Sequence, residues 1–139
     1  MNLRQRSFES YAIGDAETFS KTITEADIAT FAALSGDAYP LHVDADYAKT
    51  TRFGERIAHG MLSASLLSTV NALLLGLPGG IYVEQSIRFR RPVFIGDRLT
   101  ARCEITEILA EKRRLRTAAT IVNQHGKIVI DGAGLIQKD

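Results

Sequence analysis

Asp37 and His42 stand five residues apart, on either side of Pro40, in the stretch FAALSGDAYPLHVDADYAKTTRFGERIAHGML. A carboxylate and an imidazole on one short segment can share a water molecule and pass a proton between them. The same stretch closes on His59-Gly60, at the start of a long apolar run. A glycine N–H at a helix start can hold a developing oxyanion. Together these groups can move a proton and polarise a carbonyl.

Each residue also has a plainer reading. Asp37, after a helix, fits an Asx turn. His42 alone fits a structural histidine, although Leu41 and Val43 beside it predict a partly apolar setting that suits a neutral imidazole base. Pro40 fixes its own φ and biases Tyr39 to extended geometry, which stiffens the connection between Asp37 and His42. Gly60 fits a close approach of two chain segments. His59 is read as structural, fixing the loop by a hydrogen bond. His125 lies in a turn and carries no assignment.

The elements that must position these groups follow from periodicity and punctuation. Thr18 to Ile23 reads as a first strand. Thr24 with Asp27 forms a helix start, and Ser35-Gly36 the end of that helix. Asp37 to His42 is then expected as a loop, and Asp44 to Lys49 as a short helical turn. His59 to Leu75 reads as one buried helix with apolar residues on nearly every face, stopped by Leu77-Pro78-Gly79-Gly80. The rest reads as strands: Ile81 to Phe94 broken near Pro92, Leu99 to Ile108, Leu115 to Val122 and Lys127 to Ile136. Asn123 to Gly126 is a hairpin turn. The expected class is α+β, an antiparallel sheet curling around a long central helix.

The composition bounds the function. At 139 residues the chain is expected to be a single domain, 1–139, and 45% hydrophobic residues support an ordinary core. A net charge of +1 does not favour nucleic acid or an anionic membrane surface as partner. The single cysteine, Cys103, excludes an internal disulfide and a cysteine zinc cage, and its alternating context fits a buried thiol. The N-terminus has no signal-peptide core, and the longest apolar run is too short to span a bilayer. A cytoplasmic protein is the expectation.

The motif S-G-D-x-x-P-L-H-x-D followed by A-H-G-M-L resembles the MaoC-like hydratases, the (R)-specific enoyl-CoA hydratases of the hot-dog fold. Arg91 to Asp97, RPVFIGD, is similar to the strand and turn that follow that family's central helix. The family pattern usually has Asn before the proline; this chain has Tyr39. The resemblance implies reversible syn addition of water to a trans-2-enoyl-CoA, giving the (R)-3-hydroxyacyl-CoA, with no metal or organic cofactor. It implies a homodimer or dimer of dimers, its sheets joined edge to edge and its acyl-CoA tunnels near the interface. It assigns acid–base roles to Asp37 and His42 and the oxyanion to Gly60, and places Ser68 near the pair. A small hydroxyl bonded to its own helix is the plainer reading of Ser68. Arg88, Arg90 and Arg91 flank Phe89, and Arg90 is taken as a partner for CoA phosphates; a solvated strand face is the alternative. Two other functions are open. A hot-dog thioesterase would need a carboxylate on the central helix, and Met61 to Leu75 has none. A non-catalytic acyl-CoA or acyl-carrier binding module would leave the Asp–His pair idle.

Overall fold

The computed structural model describes all 139 residues. Five strands form one antiparallel sheet in the order β1-β3-β4-β5-β2. They are β1 (Ala16–Thr22), β2 (Gly80–Phe89), β3 (Arg98–Leu109), β4 (Arg114–Val122) and β5 (Ile128–Lys138). Strict alternation drives the central strands. Leu99, Ala101, Cys103 and Ile105 of β3 point inward and are fully buried, as are Leu115 and Ile121 of β4. The outer face is polar and carries the ion pairs Arg102–Glu104 and Arg116–Glu107.

Helix α1 (Glu25–Ser35) starts and stops where local chemistry dictates. The Thr24 hydroxyl accepts from the Asp27 N–H at 3.1 Å, and the Asp27 carboxylate accepts from the Thr24 N–H at 2.9 Å. Gly36 ends the helix in the left-handed region, at φ 79°.

The expected loop from Asp37 to His42 is a loop only as far as Tyr39. Pro40 opens a single helical turn, α2 (Pro40–Val43), and His42 rides on it. Proline at the first helical position has no N–H to leave unpaired and is already set to helical φ. A second turn, α3 (Ala45–Lys49), follows, capped by the Asp44 carboxylate.

The expected central helix is split at Ser65 into α4 (Gly60–Ala64) and α5 (Leu66–Leu75). The Ser65 hydroxyl donates to the Leu62 carbonyl at 2.6 Å, so a side chain competes for the helix's own acceptor. Leu66, Leu67, Val70, Leu74 and Leu75 of α5 are buried in the concave face of the sheet. The expected strand from Ile81 to Phe94 ends at Phe89; beyond it the Arg90 N–H still donates to the Val129 carbonyl, at 2.8 Å.

The N-terminal segment, with no assigned element in the sequence, closes the far end of α5. Phe8 and Tyr11 are buried, and the Tyr11 hydroxyl donates to the Leu74 and Leu75 carbonyls at 3.0 and 2.7 Å. Lys138 Nζ donates to the Leu75 carbonyl at 2.9 Å and to that of Pro78. The last carbonyls of the helix thus find donors outside it.

Candidate functional site

Two histidines from separate segments meet behind the Asp37 loop. The His42 and His59 rings stack with centroids 4.0 Å apart and planes 29° apart. Phe31 of α1 also packs against His59, with centroids 4.8 Å apart and planes 54° apart. One side-chain ligand atom from each of Asp37, His42 and His59 lies within 4.8 Å of the others.

Backbone carbonyls set both tautomers. His42 Nδ1 lies 2.8 Å from the Ile57 carbonyl oxygen, which only accepts, so Nδ1 carries the proton. Its Nε2 is left as a lone pair. His59 Nε2 lies 2.8 Å from the main-chain oxygen of Asp37, so there Nε2 carries the proton. His59 is almost completely buried, and its Nδ1 has no partner.

Asp37 is exposed. Its Oδ1 accepts the Tyr39 N–H at 3.1 Å, which is the Asx turn that its sequence context allows. The turn fixes one carboxylate oxygen of a residue that lines the site cavity. Tyr39 stands edge-on to His42, with centroids 6.1 Å apart.

Asp37, His42, His59 and Gly60 line one cavity of about 590 Å³, together with Phe53, Phe89 and Arg90. Gly60 is the first residue of α4, so its N–H has no acceptor within the helix. A Cβ at Gly60 would meet the Phe89 ring at 2.6 Å. Close approach and an available N–H therefore coincide at this glycine.

Arg90 lies in the same cavity wall, with Nε donating to both carboxylate oxygens of Asp131 at 3.1 and 3.2 Å. The Arg91 guanidinium donates to the Ile128 carbonyl at 2.6 Å. Ser68 lies elsewhere, exposed in a neighbouring cavity of about 510 Å³ lined also by Leu67, Tyr82, Glu84 and Ile87. Phe31 and Met61 border both cavities.

The Asp37–His42–His59 cluster is a poor cation site. The free nitrogen of His59 is buried, with no partner and no access to solvent. The nitrogens held by the carbonyls of Ile57 and Asp37 are already donors.

The Ile57 carbonyl has no sequence signature as a partner for His42, because every residue carries one. Cys103 is buried as expected, and burial pushes its thiol up to about 11.

Comparison with known proteins gives a consistent result. The MaoC like domain model matches residues 10–128. An (R)-specific enoyl-CoA hydratase of Rhodospirillum rubrum is 47% identical over 131 residues, covering 93% of this chain and 89% of the relative. The solved R-hydratase PhaJ1 from Pseudomonas aeruginosa superposes with TM-score 0.88 at 45% identity, over 95% of this chain and 86% of that one. An (R)-hydratase from A. caviae involved in PHA biosynthesis superposes with TM-score 0.90 at 39% identity, over 94% and 99%.

Proposed function

The chain belongs to the MaoC-like domain family, and we propose that it works there as an (R)-specific enoyl-CoA hydratase. Its fold is the hot-dog, an α+β sheet curled around a central helix. The reaction is reversible syn addition of water to a trans-2-enoyl-CoA, giving the (R)-3-hydroxyacyl-CoA. We read residues 1–139 as one such domain.

One observation carries the reading. The Ile57 carbonyl holds the His42 proton on Nδ1, which leaves Nε2 with a free lone pair, and His42 lines the same cavity as Asp37. A base and a carboxylate are thereby presented to one water.

In hydration, His42 Nε2 takes a proton from the water as its oxygen bonds to C3. The π electrons move onto the thioester, and the Gly60 N–H meets the negative oxygen that forms. The proton on His42 then passes to the Asp37 carboxylate and from it to C2, so each turnover adds one water and leaves both groups as they began.

Arg90 is read as a contact for CoA phosphate at the cavity mouth, its remaining guanidinium nitrogens beyond the Asp131 bond. Ser68 is read as a contact for the acyl chain in the adjoining cavity. No cofactor or metal enters these steps.

Assembly is read as a homodimer or a dimer of dimers. β2 is an edge strand whose Ile81 and Phe89 are more than half exposed, and pairing it with a second copy would cover both. No helix is long and apolar enough to cross a membrane, and the proposed location is the cytoplasm.

Mixing the pure protein with crotonyl-CoA tests the activity. Loss of the conjugated enoyl absorbance without free thiol supports hydration. Thiol release would make the protein a thioesterase, and no change in either signal a binder.

A further inference from the structure

We infer that His59 is a positioning residue for the hydration pair, holding Asp37 by its main chain and His42 by its ring face. The inference rests on the hydratase reading for its consequence in turnover, but not for its geometry.

His59 occupies a junction. It precedes Gly60, the candidate oxyanion donor, in sequence. Its Nε2–H reaches the Asp37 carbonyl at 2.8 Å across 22 residues of chain. Its ring covers one face of His42 at 4.0 Å. A single side chain therefore touches the carboxylate residue and the base, and its residue leads directly into α4.

The packing leaves His59 little freedom. Phe31 also packs against it, and the residue is 2% exposed. The unpartnered Nδ1 adds a chemical constraint. A proton there would be a buried donor with no acceptor. The tautomer with hydrogen on Nε2 satisfies every contact the ring makes. His42 has the opposite tautomer, because its own carbonyl partner lies at Nδ1.

The two assignments serve one purpose. His42 must keep its ring in place while it accepts and returns a proton. The Ile57 carbonyl fixes one edge of its ring, and the His59 ring fixes one face. The Asp37 main chain is tied to the same imidazole that His42 stacks on. Small displacements of such groups from reacting distance cost about 10²-fold in rate.

Two substitutions separate the contacts. His59→Phe keeps an aromatic face for His42 and removes the N–H. His59→Gln keeps an N–H donor near the Nε2 position and removes the ring. Turnover of enoyl-CoA by the unaltered protein tests the hydratase reading by itself. For the variants, kcat and KM are measured beside thermal stability, and ¹⁵N-imidazole spectra of the resting protein report the tautomers. Expected are a proton on Nε2 of His59 and on Nδ1 of His42. Also expected are a fall in kcat of about 10- to 100-fold in His59→Phe with KM within about threefold, and recovery of about tenfold of that loss in His59→Gln. A proton on Nδ1 of His59 in the resting protein would overturn the inference. So would variants whose melting temperature falls while kcat per folded molecule stays unchanged, and so would equal losses in both variants.

Discussion

His42 and His59 stack 4.0 Å apart, yet carry their protons on opposite ring nitrogens. The Ile57 carbonyl draws the proton to Nδ1 of the first, and the Asp37 carbonyl draws it to Nε2 of the second. Only His42 then offers a lone pair to the cavity in a half-buried, accessible position; the free nitrogen of His59 is sealed. Two identical side chains are thus separated into a candidate base and its support by the carbonyls beside them.

Removing either member of the pair tests the mechanism. Asp37→Asn keeps the shape of the Asx turn but cannot accept or return a proton. His42→Ala removes the lone pair. Each is expected to lower kcat at least about 10²-fold. The melting temperature should change little, because both residues lie outside the buried core. Near-full turnover by either variant in the enoyl absorbance assay would remove that residue from the mechanism.

Gly60→Ala probes contact and chemistry together. The new methyl would meet the Phe89 ring at 2.6 Å, while the backbone N–H survives. The ring is more than half exposed and can move, so folding should persist. Activity is expected to fall about tenfold or more as α4 shifts from the thioester oxygen. Phe89→Ala in the same chain should recover most of it. A double variant as slow as Gly60→Ala alone would mean that the methyl blocks the substrate and not the helix position.

Tyr11→Phe addresses the far end of the central helix. It deletes the donor to the Leu74 and Leu75 carbonyls and leaves those acceptors in place. A loss of about 1 kcal/mol is the usual size for one such bond. Urea unfolding should show it as a lower midpoint with an unchanged slope, and kcat should not move, since Tyr11 does not line the site cavity.

Cys103 should be inert in the folded protein. Burial holds its thiol up at about 11, and the thiolate is the form that reacts. At pH 8, iodoacetamide should leave Cys103 unmodified for hours and label it fully in denaturant, as read by intact mass. Fast labelling of the native protein would mean that β3 and α5 part readily.

What the sequence showed of this molecule was mostly what neighbours in the chain decide together. Thr24 and Asp27 cap each other across three residues, Gly36 and Gly126 take positive φ in their own turns, and β3 alternates residue by residue. The candidate site was legible as a motif because Asp37, Pro40 and His42 are close in sequence. The supports were legible only in part. Ile57 acts through a backbone oxygen that any residue would have supplied. His59 was expected to fix the loop by a hydrogen bond, but that its partner is the Asp37 carbonyl 22 residues away, and that its ring stacks on His42, are facts of packing. Ser68 shares the helical region with Gly60, but Phe31 and Met61 put it in a separate cavity. Serine at position 65 gave no warning that it would split the helix, since the same hydroxyl is silent in many helices.

The stereochemistry of the product tests the arrangement most directly, because it depends on which face of the substrate the pair can reach. Asp37 stands just before the short turn that carries His42, and both line the same cavity, so both are expected to approach a planar enoyl group from one side. Gly60, on a different element, would hold the thioester oxygen and so decide which side that is. One water should then add its oxygen and its proton to the same face. Crotonyl-CoA should give the (R)-3-hydroxy product. A coupled 3-hydroxyacyl-CoA dehydrogenase that oxidises only the (S) form should reduce no NAD while the enoyl absorbance falls. Prompt NAD reduction would mean that the thioester lies in the cavity the other way round. Gly60 would then face the acyl tail, and a different donor would have to serve the oxyanion.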